Sequence, residues 1–167
     1  SVLQGPGPRH ATGPGLLQQA TNASVVSIAA NGQLPATATN DSAAAGKLGE
    51  YITSNTISSP VGLTSTFAAA LTSVALTAGD WDVRGVVIFN SSAGMTSVQA
   101  DCNSISGTLG TLGTLFVNAA GFASQAKVPI VTQRFSLSGS ASIYLNALSI
   151  FPGTCLCSGL IAARRMR

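Results

Sequence analysis

The run from Leu76 to Phe89, LTAGDWDVRGVVIF, constrains the fold more than any other stretch of this chain. Ala78-Gly79-Asp80 is a turn signal, because Gly79 can adopt positive φ at no steric cost. From Trp81 onward the residues alternate. Trp81, Val83, Gly85, Val87 and Phe89 fall on one side of an extended chain, and Asp82, Arg84, Val86 and Ile88 on the other. The first side is an apolar stripe that belongs in a core. The second begins charged and turns apolar, so Arg84 is expected in water, with Val86 and Ile88 against a loop or another subunit. The stretch holds the only Trp of the chain and no nucleophile, which marks it as scaffold rather than active site.

The same alternation recurs from about residue 48. Turn residues separate the runs Gly49–Ser54, Val61–Thr66, Leu71–Thr77, Trp81–Asn90, Thr96–Gly107, Phe116–Phe122, Val128–Ser138, Ser142–Phe151 and Cys155–Met166. Within Val128–Ser138, strict alternation sets Val131, Gln133, Phe135 and Leu137 against Ile130, Thr132, Arg134 and Ser136. Within Ser142–Phe151, Ile143, Leu145, Ala147, Ser149 and Phe151 oppose Tyr144, Asn146, Leu148 and Ile150. In the last run Cys155, Cys157, Gly159, Ile161 and Ala163 share a side. The TLGTLGTL segment, Thr108–Leu115, reads as a loop or irregular strand. About eight short strands with no helical stretch predict an all-β, antiparallel β-sandwich of jelly-roll type over residues 48–167. Core or oligomer contacts are assigned to Trp81, Val83, Val87, Phe89, Phe135, Tyr144, Leu148 and Ile161. The last two strands are apolar on both faces, and a sandwich buries only one face of each sheet. Contact with another subunit is the expected cover.

Residues 1–47 are of another kind. Gly5, Pro6, Gly7, Pro8, Gly13, Pro14 and Gly15 break regular structure at the start. Leu16 to Ala30 has the spacing of one short helix, ended by Asn31-Gly32 and Pro35. The segment is too small for its own core. It is expected to be disordered in a free protomer or an extended arm that orders by packing on something else in an assembly, with Leu16, Leu17, Val25, Val26 and Ile28 as anchors.

Charge is scarce. Charged residues make up 8% of the chain, against roughly a quarter in ordinary soluble domains. A surface with so little charge is expected to be covered by copies of itself or by a partner, the alternative being a secreted or low-complexity surface protein rich in Ser and Thr. The eight basic residues form no stripe interleaved with aromatics, so no nucleic-acid partner is expected. Three of them, Arg164, Arg165 and Arg167, cluster late in the chain. They are expected in solvent or against acids of a neighbouring subunit. No run of about eighteen apolar residues and no basic-then-apolar leader occurs, so neither a membrane-crossing helix nor a signal peptide is expected.

The residues that carry chemistry are thinly spread. Cys102, Cys155 and Cys157 read as buried free thiols, because a Cys-x-Cys pair on one strand lies roughly 6.5–7 Å apart and fits a disulfide poorly. Asp80 and Asp82 share a face, but a calcium cage needs six or more oxygens. They are expected at a solvated strand end with a salt bridge to Arg84. The sole histidine, His10, falls in the arm, which leaves no Ser/His/Asp triad. TLGTLGTL lacks the Lys of a phosphate loop. Neither an enzyme nor a cofactor is expected, and no metal.

Gly49-Glu50-Tyr51-Ile52, Leu76-Thr77-Ala78-Gly79-Asp80-Trp81-Asp82-Val83 and Gly159-Leu160-Ile161-Ala162-Ala163-Arg164-Arg165 together resemble a group of phage and prophage virion proteins. These are tail-fibre, head-fibre or cement-type appendages with a jelly roll like that of tumour necrosis factor. The resemblance covers about residues 39 to 167. It implies a structural protein on the particle surface, made in the host cytoplasm. It also implies a homotrimer, with a dimer as the alternative, held to phage capsid or tail proteins by the N-terminal arm. The alternative role is a receptor-binding module that takes host surface polysaccharide.

Overall fold

The computed structural model describes residues 42–110 and 117–167. The proposed arm anchors Leu16, Leu17, Val25, Val26 and Ile28 lie outside the described residues, as does 111–116 of the Thr/Gly/Leu segment.

The described chain is all-β. Nine strands follow in order: β1 (Tyr51–Asn55), β2 (Val61–Gly62), β3 (Ala69–Leu76), β4 (Gly79–Ser91), β5 (Met95–Asn103), β6 (Val117–Phe122), β7 (Gln125–Leu137), β8 (Ala141–Ile150) and β9 (Cys155–Arg165). They form two antiparallel sheets, one in the order β1-β9-β4-β7 with β2 also on β9, the other β3-β8-β5-β6. Strands β1 and β2 pair with successive parts of β9 and act as one interrupted strand. The pairs β1/β2 with β9, β3 with β8, β4 with β7 and β5 with β6 are those of a single hairpin ribbon folded over on itself. That is the jelly roll the strand count predicted.

The core lies between the sheets, and the period-two faces enter it as expected. Trp81, Val83, Val87 and Phe89 of β4 are fully buried, with Ile161, Ala163 and Cys157 of β9. Ile143, Leu145 and Ala147 of β8 and Val98, Ala100 and Cys102 of β5 face them. Phe135 is partly buried against this cluster. Tyr144 and Leu148 are half-buried on the opposite side of β8. Gly159 is required by a close approach: a Cβ there would stand 2.5 Å from Leu145 Cδ2 and 2.9 Å from the Val86 carbonyl oxygen. The dent it leaves lets Leu145 cross the middle of the sandwich.

Three expectations need correction. Strand pairing of the run Val61–Thr66 stops after Gly62, and the chain turns, with Thr66 at φ 72° and Phe67 exposed. In β7 the register shifts opposite Val83 and Gly85. This bulge places an extra residue on one strand and swaps the inward parity. Ile130 is therefore buried, Gln133 is buried three residues later, and Val131 is 59% exposed. Finally, part of the outer face of β8 is covered within the chain. Asn146 accepts from Gly107 N at 2.9 Å and donates to the carbonyls of Ile105 and Thr108, which holds the loop after β5 across the sheet.

Candidate functional site

Most charged residues of the β1-β9-β4-β7 sheet collect at one end, on both of its faces. On the inner face, Arg165 ends β9 beside Trp81 of β4. Its guanidinium lies 4.3 Å from the Trp81 ring centroid. Nε donates to Glu50 at 2.9 Å, Nη1 to the Ala78 carbonyl at 2.7 Å, and Nη2 to Thr77 Oγ1. Trp81 Nε1 donates to the Thr77 carbonyl at 2.9 Å. Glu50 also accepts from Gly46 N at 2.8 Å. That backbone bond, with help from Arg165, holds the Glu50 carboxyl below the usual range despite its burial. Gly79, at φ 136°, has no side chain to collide with the Arg165 guanidinium.

This knot corrects, for Arg165, the expectation that the late arginines lie in solvent or reach another subunit; Arg164 and Arg167 are exposed. Arg165 is 5% exposed and satisfied by its own chain. A buried cation without a carboxylate would be costly, so the partners are obligatory to one another.

Asp80 is corrected as well. It is 4% exposed rather than solvated, and its partners are Arg134 and Arg167, not Arg84. Arg134 Nη2 donates at 2.8 Å and Nε at 3.3 Å in a bidentate fork. Hydrogen bonds from Arg134 and then Ser136 hold the Asp80 carboxyl below its ordinary value.

The outer face at this end is open. A cross-strand row runs Tyr51 (β1), Arg164 (β9), Asp82 (β4), Arg134 (β7). The next row holds Thr53, Ala162 and Arg84. Between them is a hollow of about 200 Å³ lined by Tyr51, Asp82, Arg84, Thr132, Ala162 and Arg164. Ala162, 1% exposed, forms its floor. The Arg164 guanidinium lies 5.9 Å from the Tyr51 ring centroid. Among the described residues no salt bridge reaches Arg84, Arg164 or Asp82. Farther along the same face the side chains turn apolar: Leu160, Val86 and Ile88 are half-buried, and Leu156 is 52% exposed.

The three cysteines are buried, free thiols, as expected. Burial raises the Cys102 thiol to about 12 and also raises Cys155 and Cys157, so none is ionised near neutral pH. Among the described residues no three His, Cys, Asp or Glu side chains come together as metal ligands, and no helix is long and apolar enough to cross a membrane.

The sequence singled out Trp81, Val83, Val87, Phe89 and Ile161, and they form the core. It missed Arg165 with Glu50, which lie 115 positions apart. It also missed the hollow around Arg164. The only signal for the knot was indirect: Glu50, Trp81 and Arg165 each fall in one of the three motif segments. Comparison with protein-family models, curated proteins and solved structures finds no match to this chain.

Proposed function

We propose that this chain is a non-catalytic structural protein of a bacteriophage particle. Its jelly roll associates with copies of itself, and the segment before residue 48 fastens it to capsid or tail. One observation carries the proposal. The three segments that resemble virion appendages converge on Arg165, through Glu50 from the first, Thr77, Ala78 and Trp81 from the second, and Arg165 itself from the third. The motif is thus one physical unit that ties the entry of the domain to its last strand. The half-buried apolar side chains Val86, Ile88 and Leu160, beside exposed Leu156, add support. They offer copies of the chain a surface to bury, and a stable interface needs about 1,000 Å² or more in total. A homotrimer is the favoured assembly.

The test is truncation. Gly46 holds Glu50, and Ser42 Oγ accepts from Tyr51 N at 3.0 Å, so the cut that spares the sandwich removes residues 1–41. The truncated chain is expected to stay folded and oligomeric by light scattering and to be lost from particles by immunogold labelling. Full incorporation of the truncated chain, or a full-length chain absent from particles, would sink the proposal.

A further inference from the structure

At the rim of the open hollow on the outer sheet face stand two guanidiniums with no carboxylate at salt-bridge distance among the described residues. The described chain has six exposed cations: Lys47, Arg84, Lys127, Arg134, Arg164 and Arg167. Asp80 engages Arg134 and Arg167. Of the four left, Lys47 and Lys127 do not line the hollow, while Arg84 and Arg164 stand on adjacent strands at its rim.

A second copy of the described domain cannot supply the missing anion. Glu50, Asp80 and Asp101 are buried and hydrogen-bonded within their own chain. Asp82 is half-buried and belongs to the hollow itself. Among the described residues, then, no acid outside the hollow is left to serve, which points to another kind of molecule as the complement.

The hollow also says what else that molecule carries. Asp82 lies across from Arg164 and two residues before Arg84, and as a carboxylate it accepts hydrogen bonds only. It disfavours phosphate or sulfate, which bring more negative charge than a single carboxylate and few or no donors. Against an acidic protein side chain it would face a carboxylate without a donor. A ligand with one carboxylate beside hydroxyl groups satisfies both charges: the carboxylate meets the planar forks of Arg84 and Arg164, and the hydroxyls donate to Asp82. Thr132 can donate or accept, and Tyr51, 40% exposed, offers a ring to an apolar sugar face. At about 200 Å³ the space is smaller than the roughly 300–1,000 Å³ of pockets that enclose drug-sized ligands, which suits one sugar ring of a longer chain.

We propose that the hollow lined by Tyr51, Asp82, Arg84, Thr132 and Arg164 binds a single sugar-acid residue of an acidic polysaccharide. Its carboxylate lies on the two arginines and its hydroxyls on Asp82. The site goes beyond the assembly role, and it requires that copies associating through the apolar end of this face leave its charged end open.

Isothermal titration of the full chain at pH 7 tests the site with five probes. These are a galacturonate trisaccharide, sialyllactose, lactose, a glutamate tripeptide and inorganic phosphate. At least one of the two acidic sugars is expected to bind with Kd of about 1 mM or tighter, and the other three probes about tenfold or more weaker. The Arg84→Gln/Arg164→Gln double variant should lose about tenfold or more, and Lys127→Gln nothing. Asp82→Asn should weaken the acidic sugar while strengthening phosphate, which a merely structural Asp82 would not do. Both arginines are exposed, so a thermal melt unchanged from the parent verifies folding. Glutamate peptide or phosphate binding as tightly as the sugar would overturn the proposal, as would no sugar binding up to about 10 mM. An indifferent double variant would do the same. Light scattering on the same samples separates the two readings. An intact oligomer that ignores the sugar removes the site alone, and a monomer that binds it removes the assembly alone.

Discussion

Arg164 and Arg165 are neighbours in sequence and live in opposite worlds. Arg165 points inward, stacks on Trp81 and is bonded to Glu50, Thr77 and Ala78. Arg164 points outward, rests near Tyr51 and has no carboxylate at salt-bridge distance among the described residues. One strand, through its period of two, turns the same side chain into a buried structural rivet and an exposed surface group. What separates the two residues is the company each face keeps, not their chemistry.

The strongest way to break this contrast is to remove each arginine in turn. Arg165→Ala leaves Glu50 buried without its cation, and denaturant unfolding should show a loss of about 3–5 kcal/mol. Arg164→Ala should stay within about 0.5 kcal/mol, as surface substitutions do. Equal effects would erase the distinction. A smaller change is expected from Gly79→Ala, which forces an alanine into a left-handed conformation against the Arg165 guanidinium. Its cost should be roughly 1–3 kcal/mol. Most of the steric part should vanish in the Arg165→Ala background, a coupling that a double-mutant cycle reads directly.

The smallest effect is expected in acid. Glu50 and Asp80 have carboxyl groups whose folded values are lowered. Their contribution is complete above the unfolded carboxylate range of about 3.9–4.3 and is lost as pH falls from there through the folded values. Thermal melts between about pH 5 and pH 2 should therefore fall with acid, and Asp80→Asn should flatten the slope. An unchanged slope would show that Asp80 does not sense its arginines.

The sandwich was legible because burial follows period two. Trp81 to Phe89 and Ile143 to Phe151 need only alternation to be placed. Val131 was misplaced because a bulge adds one residue and reverses the faces beyond it, and nothing in the local pattern signals the insertion. Asp80 was misread because a carboxylate at a strand start is solvated unless distant chains cover it. Its covers, Arg134 and Arg167, are brought in by pairing across β7 and β9. The hollow was invisible for the same reason, since Tyr51, Arg84 and Arg164 meet only through the register of three strands.

The place of β9 has a consequence for how the domain is born. It is the latest strand in chain order among those described, yet it lies in the interior of its sheet, between β1 and β4. A chain made from its N-terminus must hold Tyr51–Asn55 and the long flank of β4 unpaired until Cys155–Arg165 is synthesised. Long-range pairings of this kind put folding in the slow, millisecond-to-second class. Completion of the sandwich therefore waits for β9, and until then the nascent chain carries two open strand edges that a chaperone or a sister chain can reach first.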